Sequence, residues 1–144
     1  MSERHPGEFR RERRVRFSDC DPAGIVFYPQ YFVMFNGLVE DWFNDELHVD
    51  YSDLVTVRRV GLPTVRLEAE FKAVSRLGDA VQLALGVERL GSRSLTLRLH
   101  CTGELGADDV RMNLRQVIVT TSLQTHKSIE VPTDLRDAVA RFAP

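Results

Sequence analysis

The chain has 144 residues, 43% of them hydrophobic and 28% charged, which is the balance of one soluble globular domain over residues 1–144 and leaves no case for disorder or a membrane-embedded body. Nineteen Lys and Arg against 21 Asp and Glu give a formal charge of −2, so a general attraction for nucleic acid or acidic membranes is excluded and any basic function must be local.

The first local feature is EFRRERRVRF, residues 8–17, where Arg10, Arg11, Arg13, Arg14 and Arg16 crowd one segment. The apolar positions Phe9, Val15 and Phe17 alternate imperfectly and read as a first strand, its charges discouraging edge-to-edge aggregation. Phosphate binding is the minority reading.

A helix follows from about Pro29 to Asp45. Pro29 suits a first helical turn, and Tyr31, Phe35, Leu38 and Trp42 recur at helical spacing. Phe32, Val39 and Phe43 fill a neighbouring stripe, so the apolar face is broad enough to be wrapped. A connector around Ser52–Arg59, with short-helical character, leads into strands.

In PTVRLEAEFKA, residues 63–73, Val65, Leu67, Ala69 and Phe71 alternate with Arg66, Glu68, Glu70 and Lys72, the pattern of a sheet with one wet face. Residues 81–90 repeat it, as do residues 94–101. The run over 109–123 becomes continuously apolar at Val117–Val119 and suits a central place in the sheet. Short links carrying Gly78, Gly91 and Gly103 favour antiparallel neighbours. Pro132 opens a last amphipathic helix with Leu135, Val139 and Phe142. The fold class expected is α+β, a curved antiparallel sheet of about five strands wrapped around one long central helix.

Cys20 and Cys101 are too few for a disulfide framework, and no apolar leader precedes the charged amino terminus, so a cytoplasmic location is expected. No stretch has the length of a transmembrane helix.

Chemistry is suggested by DCDPAGIVFYPQYF, residues 19–32. A helix amino terminus offers unpaired N–H groups and positive potential, which could hold the oxyanion of an attacked carbonyl, and Asp21 could supply a carboxylate beside it, as nucleophile or base. The bland alternative is that Asp-Pro and Ala-Gly merely turn the chain and the aspartate caps the helix.

The words FSDCDPAGIVFYPQYF, residues 17–32, resemble the signature of the 4-hydroxybenzoyl-CoA thioesterase family of hotdog-fold proteins, with weaker similarity through VGLPTVRLEAEF, residues 60–71. The resemblance implies hydrolysis of an acyl-CoA, aromatic (benzoyl or hydroxybenzoyl type) or short-chain, without metal or cofactor, by a homodimer or homotetramer with sites at the subunit interface. It implies that Asp21 is the catalytic carboxylate, that Asp19 shapes the loop, and that the backbone N–H of Tyr28 is the oxyanion donor.

Asn36 stands where 4-hydroxybenzoyl-specific members carry an acidic residue, and Leu62 where they can be polar, which points to a less polar acyl end. Arg93, with Arg89 nearby, aligns with a basic cluster that binds the CoA phosphates. Another hotdog branch uses an acid on the central helix, for which Glu40 and Asp41 rank second. Of the other readings, a non-catalytic acyl-CoA or acyl-carrier-protein binder would not need Asp21. A hydratase would need a histidine near the motif, whereas His5, His48, His100 and His126 are scattered and without metal-ligand spacing.

Overall fold

A computed structural model describes residues 7–144; His5 lies outside them. Strand β1 spans Glu8–Arg14, shorter than the expected run to Phe17. The chain leaves the sheet after Arg14 and makes a 3-10 turn over Phe17–Asp19, so Val15 is still buried while Phe17 is 81% exposed.

Helix α1, Tyr28–Asp41, starts on a proline in its first turn, where the missing N–H costs nothing. It runs on into a π-helical segment, Trp42–Glu46. That segment buries Trp42 and Phe43 completely, and the Phe142 ring packs 5.3 Å from that of Trp42. Helix α2, Tyr51–Thr56, realises the helical connector; the Asp50 carboxylate accepts the Asp53 N–H at 2.9 Å and caps it.

Two-residue strand β2, Val60–Gly61, follows. Then come β3, Thr64–Phe71; β4, Ala80–Leu90; β5, Ser94–Thr102; β6, Val110–Val119; β7, Thr121–Ser122; and α3, Thr133–Phe142. Strands β2 and β7 pair in a small second sheet that has no periodicity to betray it. The main sheet has five strands in the order β1-β4-β5-β6-β3, antiparallel throughout. The run over 109–123, expected at the centre, lies one strand away from it between β5 and β3, and β5 takes the central place.

Period-two patterning is what joins sheet to helix. Val81, Leu83 and Leu85 of β4, Leu95, Leu97, Leu99 and Cys101 of β5, and Met112, Leu114 and Ile118 of β6 form one cluster with Tyr31, Met34, Phe35, Leu38 and Val39 of α1. Each large apolar side chain in it contributes about 1.5–3 kcal/mol relative to exposure.

Strand β3 departs from the expectation of one dry face. All eight of its residues are exposed, including Val65 at 61%, Leu67 at 46% and Phe71 at 50%. The alternation is present, but β3 is an edge strand with β6 as its one neighbour, and α1 covers its inward side only in part: Phe71 meets the rings of Tyr28, Tyr31 and Phe32 and Leu67 borders an open hollow. Among the described residues no helix is long and apolar enough to cross a membrane.

Candidate active site

The segment ahead of α1 is a tight hairpin built by its own backbone. Phe27 N–H donates to Asp19 O at 2.9 Å, Asp21 N–H to Ile25 O at 2.9 Å and Gly24 N–H to Asp21 O at 3.0 Å. Gly24 closes the turn at φ +76° with open space around it, a conformation that glycine adopts without strain.

The two aspartates have different surroundings. Asp19 is 3% exposed; its Oδ1 accepts from Arg13 Nη2 at 2.9 Å and its Oδ2 from the Arg16 N–H at 2.8 Å. Both oxygens are occupied in holding the turn. Asp21 is half-buried, and its Oδ1 accepts the Ala23 N–H at 2.8 Å. Its Oδ2 has no hydrogen bond within the described residues, which leaves a carboxylate oxygen held at a fixed angle and available.

At the other end of the hairpin, α1 has no side-chain cap. Pro29 has no N–H, and the Gln30 N–H is taken by Phe27 O at 2.8 Å. Among the first three positions, the Tyr28 N–H is therefore the donor without a partner in the described chain, at the positive end of the helix.

A hollow of about 280 Å³ opens beside it, lined by Val26, Tyr28, Tyr31, Phe71, Lys72, Ala73 and Val74. A second, also about 280 Å³, lies further along α1 and is walled by Phe32, Phe35 and Leu67, with Asn36, Thr64 and Gln116 as its polar groups. The Phe71 ring stands between them, with centroids 6.0 Å from Tyr28 and 6.5 Å from Phe32. A larger hollow of about 570 Å³ on the sheet, lined among others by Glu68, Arg98, His100 and Arg115, is polar and contains neither Asp21 nor Tyr28.

Asp21 lies near the turn of the hairpin and Tyr28 where its second arm enters α1, and Asn36 lines the second hollow. The structure does not bring the remaining candidates to Asp21 within one copy. Leu62 precedes β3 and packs against the core. Arg89 and Arg93 flank the β4–β5 turn, ten residues or more along the chain from Asp79 at the other end of β4, a span of roughly 30 Å at ~3.3 Å per strand residue. Arg93 Nη1 donates to Ser128 O at 3.1 Å.

Glu40 and Asp41 are exposed on α1. The arginines of the first segment are largely engaged: Arg10 pairs with Glu8, Arg11 with Asp45 and Arg13 with Asp19. Sequence reasoning missed Ser75 and Arg111, which lie beneath the hairpin. A serine in a turn and an arginine in a strand both read as surface. Among the described residues no three His, Cys, Asp or Glu converge as metal ligands.

The chain belongs to the thioesterase-like superfamily, which its residues 15–139 match. A 4-hydroxybenzoyl-CoA thioesterase of Pseudomonas sp. (strain CBS-3) is 26% identical over 128 residues, 85% of this chain and 91% of that enzyme. A 1,4-dihydroxy-2-naphthoyl-CoA hydrolase of Synechocystis sp. is 31% identical over 81 residues, 56% of this chain and 58% of that enzyme, so this match spans under two thirds of either. The solved structure of a 1,4-dihydroxy-2-naphthoyl-CoA thioesterase from Synechocystis aligns with a TM-score of 0.84 at 22% identity, covering 93% of this chain and 96% of that one. The fold is the hotdog fold.

Proposed function

We propose that this chain is an acyl-CoA thioesterase that hydrolyses an aromatic acyl-CoA of the benzoyl or hydroxybenzoyl type, or a short-chain one, to the free acid and CoA. The observation that carries the reading is that the Asp21 Oδ2 and the Tyr28 N–H, neither with a hydrogen-bond partner among the described residues, belong to one hairpin at the start of α1. The N–H receives the charge that gathers on the thioester oxygen when its carbon is attacked. Asp21 either attacks that carbon, giving a mixed anhydride that water opens, or takes the proton of the attacking water; in both cases the thiolate leaves without needing strong acid assistance. Family membership and the names of the relatives support the same chemistry.

The working unit in this reading is a homodimer or a homotetramer. An exposed edge strand with apolar inward residues favours pairing with a second copy. A two-fold antiparallel pairing along β3 carries the Asn36, Leu62, Arg89 and Arg93 end of one copy towards the Asp21 and Tyr28 end of the other. Asn36 then faces the acyl group, Leu62 lines its pocket, and the arginines meet the CoA phosphates. The helical run over 28–46 serves as the central helix of a single domain, and the free thiols of Cys20 and Cys101 accord with a reducing cytoplasm.

Free-thiol release from benzoyl-, 4-hydroxybenzoyl-, phenylacetyl- and aliphatic CoA esters tests the proposal, with wild type and Asp21→Asn side by side. Cleavage by the wild type that falls at least ~100-fold in Asp21→Asn is the expected result. No cleavage of any ester, or an equally active variant, overturns it.

A further inference from the structure

Beneath the Asp21 hairpin lies a buried polar node with no part in the chemistry above. Ser75 is 1% exposed. Its hydroxyl oxygen accepts the Tyr31 O–H at 2.9 Å and Arg111 Nη1 at 3.3 Å. Two elements of the fold, α1 and β6, thus meet at one serine in the β3–β4 connection.

That connection is the shelf on which the hairpin rests. Ser75 O accepts the Val26 N–H at 2.9 Å, the Leu77 N–H donates to Gly24 O at 2.9 Å, and Arg76 bridges to Ile25 between them. Ile25 O in turn receives the Asp21 N–H. The height of the shelf therefore fixes the height of Asp21.

Arg111 pins the shelf from below. Its Nη1 reaches Val74 O at 3.0 Å and Asp79 Oδ2 at 3.0 Å, while Nε and Nη2 grip Asp109 in a two-pronged pair at 2.9 and 3.0 Å. Asp79 Oδ2 also accepts the Arg76 N–H at 2.9 Å. The Arg111 side chain is 14% exposed, and its planar fork fills sites that the point charge of a lysine does not. The guanidinium is shared by two carboxylates, a carbonyl and a hydroxyl, with the two Nη1 hydrogens divided among three acceptors, Ser75 at the longest distance.

We propose that Arg111, acting through Ser75, is a positioning residue that holds the Asp21 hairpin at the height its reaction requires. The inference rests on Asp21 being the reactive carboxylate. A displacement of about 1 Å in a reacting group can cost on the order of a hundredfold in rate; deletion of one hydroxyl beneath the shelf shifts the hairpin less than that, and a roughly tenfold loss is expected.

The test measures kcat on the best CoA ester and the Kd of phenacyl-CoA, an analogue that lacks the cleavable bond, for wild type, Ser75→Ala and Arg111→Lys. The expected result is kcat reduced about tenfold in Ser75→Ala and at least as much in Arg111→Lys, with analogue affinity held within about twofold. Should Arg111→Lys fail to fold, Ser75→Ala decides alone. A kcat within twofold of wild type in Ser75→Ala overturns the proposal, as does a parallel loss of rate and affinity, which would mark general damage. Wild-type turnover unaffected by Asp21→Asn would show instead that the reading of the site itself had failed.

Discussion

Arg13 Nη2 lies 2.9 Å from Asp19 Oδ1, and this contact divides the labour between two aspartates only two positions apart. With the Arg16 N–H on its other oxygen, Asp19 is consumed by the turn, and Asp21 keeps an oxygen with no hydrogen bond among the described residues. Asp19→Ala removes a buried carboxylate that accepts from the Arg16 N–H and the Arg13 guanidinium, and should lower stability by about 1–3 kcal/mol in urea unfolding. Asp21→Asn, which keeps the shape of the turn, should change stability by no more than about 0.5 kcal/mol while removing activity. Equal destabilisation by the two would contradict the division.

Asn36 is the polar group that α1 itself contributes to the second hollow. In Asn36→Ala the preference for 4-hydroxybenzoyl- over benzoyl-CoA should shrink by about one hydrogen bond, or roughly fivefold in kcat/KM. A ratio unchanged from wild type would remove Asn36 from substrate recognition.

Leu67 tests the edge. Leu67→Arg places a charge on the inward side of β3, where Leu67 is 46% exposed in the single copy. Light scattering after size exclusion should show monomer where the wild type shows dimer or a multiple of it, and specific activity should fall more than tenfold. A monomeric wild type with full activity would defeat the shared-site reading.

The Arg111 network carries a pH signature. The Asp79 carboxyl is held below the usual range, first by the Arg76 N–H and next by Arg111, and the Asp109 carboxyl chiefly by Arg111. A carboxyl with a depressed native pKa stabilises the fold fully above its unfolded value of ~3.9 and loses that contribution as pH falls through the native value. The stability advantage of wild type over Arg111→Met should therefore be present at pH 6 and shrink below about pH 4. Urea midpoints at the two ends of that window measure it, and a constant difference would exclude the linkage.

The two thiols should behave differently. Burial pushes the Cys101 thiol up to about 12, and it has no solvent exposure, so it should be silent to a thiol reagent at pH 8 until the chain unfolds. Cys20, half-buried, is raised by desolvation and then by Asp19 and Asp21, and should react slowly. Counting thiols released before and after unfolding distinguishes them.

Much of this architecture is legible in the sequence because one-sided burial leaves a period. Leu95, Leu97, Leu99 and Cys101 read correctly as a dry face, as does the stripe on α1 from Tyr31 to Trp42. Alternation says which side chains share a face but not what covers the face, so Val65, Leu67 and Phe71 look like core and are exposed in a single copy. Edge or centre is decided by strand order, which is a property of the whole chain.

The same limit applies to the site. Asp21 and Tyr28 are close in sequence and could be read together. Tyr31, Ser75 and Arg111 become neighbours only through the pairing of β3 with β6. Arg89 and Arg93 were readable as basic groups, but their distance from Asp21 follows from the length of β4.

Strand β3 also carries a code in its wet side chains. Arg66 pairs with Glu68 at 2.6 Å and Lys72 with Glu70 at 3.0 Å, so the charges run plus, minus, minus, plus about Ala69. A second copy laid antiparallel with Ala69 opposite Ala69 would set Glu68 against Glu70 and Arg66 against Lys72, every pair a repulsion. Slipping the partner by two residues in either direction keeps the same faces together and exchanges the four repulsions for two opposite-sign contacts and one glutamate pair. The order of four charges thus disfavours the Ala69-centred alignment of two such strands relative to its neighbours.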